Sequence, residues 1–215
     1  MDISIFLLFC ITVLILTFSP GPDIIFVITQ SLQKGYKYGF KISFGLVTGL
    51  FIYTLASTFG LSLILKAFPG FYYGIKICGA VYIGFLAYKE LPISRINKSV
   101  NSKKNNPFFD GLIMNLSNPK ITFFFISLFP QFIFHDKLSI THQFLILGIV
   151  FIVIAFLIFV FVSIIASHLS SKSPININSK YFSYIQFIIL GIISVLFFIS
   201  GIKDIIKQDS VEFLW

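Results

Sequence analysis

The stretch TFSPGPDIIF, residues 17–26, decides how this chain is read. A nearly unbroken apolar run precedes it, and Ile, Phe and Val resume after it. Between them stand Pro20, Gly21 and Pro22, which interrupt a helix, and then the carboxylate of Asp23. Proline removes a backbone donor and clashes with the preceding turn. A segment apolar enough to enter a bilayer thus breaks its own helix and places a charge at the break.

The rest of the chain is apolar in the same way. Its 215 residues are 57% hydrophobic and 11% charged, with a mean hydropathy of +0.96. A soluble domain carries about a quarter charged residues. Apolar runs recur near the length of about twenty residues that a helix needs to cross a bilayer. They predict an all-α integral membrane protein with six transmembrane helices, at about 3–33, 39–65, 71–89, 108–134, 142–168 and 182–204. Little chain is left over, so no soluble catalytic domain is expected.

The net charge of +8 does not point to nucleic acid. The basic residues fall in short loops between spans, and no basic, aromatic-interleaved surface lies outside them. Cys10 and Cys78 sit in apolar runs as small hydrophobes, without disulfide or metal spacing. No metal or other cofactor is implied. Met1, Asp2 and Ile3 form no basic leader, so a cleaved signal peptide is not expected.

The polar stretch LPISRINKSVNSKKNN, 91–106, divides the chain. It separates a first three-helix repeat, 1–90, from a second, 108–207, with a basic linker at 91–107 and a tail at 208–215. The loops after spans one, three and five hold Lys34, Lys37, Lys41, Lys89, Arg95, Lys98, Lys103, Lys104, Lys172 and Lys180. The opposite side holds Lys66, Lys137, Lys203 and Lys207. The excess places loops 34–41, 89–107 and 168–181 in the cytoplasm and both termini outside.

A second break answers the first. The fourth span carries Asn118, Pro119 and Lys120, again a proline followed by a charge. Pro22 precedes Lys34 by the same number of residues as Pro119 follows Pro107. At 1.5 Å per residue, both breaks lie about 18 Å from the cytoplasmic edge. That is near the middle of a core about 30 Å thick. Two broken helices at corresponding positions in two halves are the sequence pointer to a repeat-built transporter. Three spans per half is odd, so the repeats are expected to be inverted.

The charges fit a shared cavity. Asp23 or Lys120 alone at mid-membrane costs about 2.5–3.5 kcal/mol on insertion scales. Facing each other, or bridged by substrate or water, they offset much of that cost. A static Asp23–Lys120 pair holding the halves in register would explain the charges but not the broken helices. Half-helix N-termini suit a carboxylate, and freed carbonyls with Asp23 suit an ammonium. A small zwitterion matches both. Asp23 is the carboxylate near the midplane and the expected proton-coupling site. Asn115, one turn before the second break, is a further candidate.

At these residues the chain resembles the LysE/RhtB family of amino-acid exporters. SPGPDIIFVITQSLQKGYKYGFKISFGLVTG resembles the family's signature stretch, GAVYIGFLAYK a pattern in the third span, and NLSNPKITFFFISLFPQF its Asn-Pro-Lys motif with a following Pro-Gln-Phe. The resemblance covers most of the chain. It implies a six-span bacterial inner-membrane protein exporting amino acids or close derivatives, driven by the proton gradient. By position it points to Pro20, Gly21, Pro22 and Asp23, and to Asn118, Pro119 and Lys120. Ile121, Thr122, Phe44 and Ala87 depart from the family pattern, so no particular substrate is carried over.

Other residues have plainer readings. Gly45 and Gly49 form a small-xxx-small pair expected to let helices pack closely. Lys76 is expected to snorkel to the interface. Gln30 and Gln186 read as interhelical glue, and His135, His142 and His168 fall at span ends. Three functions compete: a secondary transporter, a channel or non-transporting membrane subunit, and a membrane enzyme. The last lacks paired carboxylates within a span, a mid-span histidine or metal spacing. The expected partners are a small-molecule substrate, protons and the lipid bilayer, and the oligomeric state is open, a homo-oligomer included.

Overall fold

The computed structural model describes residues 2–19, 21–68, 70–90, 106–135 and 137–169, and shorter pieces between 184 and 206. The described chain is helical throughout its regular structure. Helix α1 (Ile3–Phe18) opens on Asp2, whose carboxylate accepts from Ser4 N at 3.0 Å. It stops at Ser19, and α2 (Pro22–Lys34) begins with proline at its first position. The two axes meet at 51°. Pro22 suits the start of a helix, where its missing N–H is no loss.

Helix α3 (Tyr36–Ala56) follows after one residue, Gly35. Gly35 has φ +83°, a conformation that side chains resist, and it both ends α2 and starts α3. This corner is why α3 begins at Tyr36, earlier than the span expected from 39. A π-helical turn (Ser57–Leu61) leads into α4 (Ser62–Ala67). Helix α5 covers Phe71–Glu90.

Beyond the linker, α6 (Pro107–Leu116) again starts on proline, capped by Asn106. Asn118 caps α7 (Pro119–Phe123), and the bend between the two is 50°. The chain continues as a π-helical turn (Phe124–Leu128) and a 3-10 turn (Phe129–Phe132). The expected fourth span is therefore not regular α-helix to 134. Pro130 lacks the N–H that an α-helix would use there, and the ladder tightens around it. Helix α8 (Ile140–Leu169) completes the described core, and the described residues between 184 and 206 are helical.

Tyr36–Leu65 and Ile140–Leu169 are each long and apolar enough to cross a membrane, and each bent pair makes a further span if counted as one. Helix α5, at 20 residues, has the length of another. The sixth expected span, 182–204, and Gln186 with it, lies largely outside the described residues, as does the 91–105 linker.

Exposure supports a lipid environment. In α8, Phe151, Ala155 and Phe159 are buried, yet Ile149, Val153, Leu157 and Phe161 are exposed. A helix apolar all round needs an apolar surround. Helix α3 is central: it packs on α2, α6 and α8, while α2 also packs on α8. Helix α5 packs on the Phe124–Leu128 turn and receives Ser194, whose Oγ donates to Ala80 O at 2.7 Å.

Close approach of α3 and α6 is made by glycines. A Cβ at Gly45 would collide with Phe108 O and lie 2.8 Å from Leu112 N. A Cβ at Gly111 would collide with Ile42 O. At Gly49 it would lie 2.5 Å from Asn115 Oδ1. These contacts are mostly to backbone, which cannot swing aside.

Candidate functional site

Each broken helix frees backbone groups that water would satisfy at a surface, but lipid cannot. At the second break, tyrosines meet them. Tyr53 Oη donates to Leu116 O at 2.9 Å and lies 2.6 Å from Thr122 Oγ1. Tyr82 Oη donates to Pro119 O at 3.3 Å. Tyr82 also stacks on Phe123, with centroids 4.3 Å apart, and Tyr53 stacks on Phe125. The sequence reading did not single out either hydroxyl; a tyrosine in mid-span, needing a partner for its O–H, is the signal that could have found them.

The two breaks meet at one cavity of about 20 Å³. It is lined by Thr17, Ser19, Gly21 and Asp23 at the first break, and by Asn115, Asn118 and Lys120 at the second. Asp23 is 6% exposed and Lys120 9%, so both charges are removed from the surface. Asn115, fully buried, donates from Nδ2 to Asp23 Oδ2 at 3.0 Å. This hydrogen bond joins the two breaks directly. Asn118 and the charge of Lys120 also act on the Asp23 carboxylate.

Gly21 brings the first break to Lys120, since a Cβ there would lie 3.7 Å from Lys120 Nζ. The absence of a side chain leaves the N-terminus of α2 without a side-chain cap. Helix α7 differs, because Asn118 Oδ1 accepts from Lys120 N at 3.0 Å. An N-terminus whose capping residue has no side chain is the one of the two better suited to a carboxylate. Two acceptors, Asp23 Oδ1 and Asn115 Oδ1, are buried without a hydrogen bond among the described residues. Such atoms are costly in a dry site and suit a donor-rich guest such as an ammonium.

The remaining expected residues take other places. Pro22 and Pro119 are exposed, and neither lines the cavity; each sets the start of its helix. Pro20 and the side chain of Lys76 lie outside the described residues. Gln30 is buried in α2, away from the cavity lining. His142 and His168 stand near the ends of α8, and His135 follows the 3-10 turn.

The sequence reading missed the third wall. Leu16 of α1, Ile24 of α2, Leu50 of α3 and Phe151, Ala155 and Phe159 of α8 close the cavity. The α8 residues recur every four positions, one face of a helix. In a helix apolar all round, that face carries no mark of its own.

The LysE type translocator family model matches residues 14–202, most of the chain. The chain belongs to the LysE type translocator family. Membership suggests membrane transport and is consistent with a role other than an enzyme's. An uncharacterized membrane protein of Pseudomonas aeruginosa is 34% identical over 123 residues, 53% of this chain. That match spans 57% of the relative's own length. The uncharacterized membrane protein YrhP of Bacillus subtilis is 27% identical over 184 residues, 80% of this chain and 87% of its own. No solved structure matches this translocator significantly.

Proposed function

We propose that this translocator exports amino acids or close derivatives across the bacterial inner membrane by proton antiport. The substrate binds near the midplane, between the two broken helices. The observation that carries this reading is the cavity where Asp23, Asn115, Asn118 and Lys120 converge with the N-terminus of α2. An ammonium would bridge Asp23 Oδ1 and Asn115 Oδ1. A carboxylate would meet Lys120 Nζ and the N-terminus of α2. Asp23 exchanges a proton for the ammonium, which couples the two fluxes.

The same reading takes the six spans as two inverted repeats, 1–90 and 108–207, with both termini outside. The near-equal bends of 51° and 50° support it. So does one pair of contacts: exchanging the two halves turns the α3–α6 contact into the α8–α1 contact, and both are present. The same exchange maps the α3–α8 contact onto itself. A cavity of about 20 Å³ holds about one water. It is thus closed, and transport requires the halves to rock apart. Gly45 and Gly49, where α3 meets α6, stand at the surface along which they would do so.

The test is flux of labelled amino acids in proteoliposomes under an imposed pH gradient. Saturable, gradient-driven movement of a panel member is expected, and Asp23→Asn should abolish its dependence on the gradient. Unsaturable leak would favour a channel. No movement of any panel member would remove the amino-acid reading.

A further inference from the structure

We propose, on the reading that the cavity binds an amino acid, that its cargo is neutral with an apolar side chain. We further propose that Ala155 sets the side-chain length accepted. The argument starts from charge. Among the residues that line the cavity, Asp23 and Lys120 are the charged ones, one of each sign. A zwitterion satisfies both and leaves the site neutral. A basic or acidic side chain would add a third charge, and no lining residue offers it a counter-ion. Asp110, the next acid along α6, does not line the cavity.

The polar lining is already committed to the head group. Asn115 and Asn118 belong to the zwitterion end. Thr17 Oγ1 donates to Val13 O at 2.7 Å, within its own helix. Ser19, buried at the first break, is also already engaged, and what remains is apolar: Leu16, Ile24, Leu50, Ile121, Phe151, Ala155 and Phe159. A polar side chain would lose its water there without gaining a partner.

The shape of that wall is set by α8. Phe151, Ala155 and Phe159 lie on one face, and all three are buried, at 1%, 0% and 4% exposure. Ala155 is a notch between two rings. A side chain projecting from the zwitterion toward α8 has the notch as its place. The methyl group at 155 then decides how far it reaches.

The experiment is competition in proteoliposomes loaded with labelled leucine, using unlabelled alanine, leucine, phenylalanine, lysine and glutamate. Lysine and glutamate are expected to compete about a hundredfold less well than leucine, the factor set by one unpaired charge at mid-membrane. Ala155→Leu is expected to lower leucine flux at least tenfold relative to alanine flux. Phe159→Leu, which opens the same wall without overpacking it, should raise phenylalanine flux relative to leucine. Lysine or glutamate competing as well as leucine would overturn the side-chain inference and leave the amino-acid reading intact. Unchanged substrate ratios in both folded variants would overturn the role of α8. If no amino acid moves through the parent protein, the amino-acid reading fails, and this inference with it.

Discussion

At the scale of single residues, Asn115 ties the site together, since it reaches from the second break to the carboxylate at the first. Asn115→Leu leaves Asp23 Oδ2 without that donor. The loss of a buried hydrogen bond to a charged group should cost about 1.5–3 kcal/mol, read as a lower unfolding temperature in detergent. Flux should fall by about tenfold or more, since the same energy is withdrawn from the binding geometry. Gly49→Ala is expected to act on the same group from behind, because its Cβ would lie 2.5 Å from Asn115 Oδ1. It should reduce flux more than stability, because Asn115 turns aside without unfolding the helix. Asp23 and Lys120 were legible in the sequence because a charge in an apolar run demands a reason. Phe151, Ala155 and Phe159 were not, because an apolar residue among apolar residues looks the same in the wall of a site as against lipid.

At the scale of elements, the breaks were legible and the local helix types were not. Pro22, Pro107 and Pro119 each stand at the start of a helix, which follows from the missing N–H. The π-helical turns at Ser57–Leu61 and Phe124–Leu128 have no comparable residue mark, since one extra residue in the ladder needs no special side chain. The corner at Gly35 is the whole connection between two helices, ending one and starting the next. Two outcomes belong here. Gly45→Val should force α3 and α6 apart, since Phe108 O and Leu112 N are backbone atoms that cannot yield. The cost should reach about 1–3 kcal/mol or more, the range of core overpacking. Gly60→Val, with nothing within 4 Å of its Cβ, is the matched control and should leave the unfolding temperature unchanged. Tyr53→Phe removes the donor to Leu116 O and should destabilise by about 0.5–1.5 kcal/mol in the same measurement.

At the scale of the molecule, the proposed topology rests on two counts taken from the sequence, of spans and of basic loop residues. The paired contacts of α1 with α8 and α3 with α6 were not legible there, because packing partners leave no trace in a single chain of apolar helices. Orientation makes its own prediction. A cysteine introduced at Lys37, in a Cys10→Ser and Cys78→Ser background, should react with a membrane-impermeant maleimide from the cytoplasmic side alone. Reaction from the outside would reverse the topology. The central claim is that the two breaks form one binding site whose opposite charges hold the two ends of the cargo. Gradient-driven amino-acid flux through the parent, Asp23→Asn and Lys120→Ala, each reconstituted in equal amount with its unfolding temperature recorded, tests that claim most directly. The expected result is a parent that transports and two variants that fold but do not. Variants that fold and transport like the parent would contradict it, and would leave Asp23 and Lys120 as a structural pair.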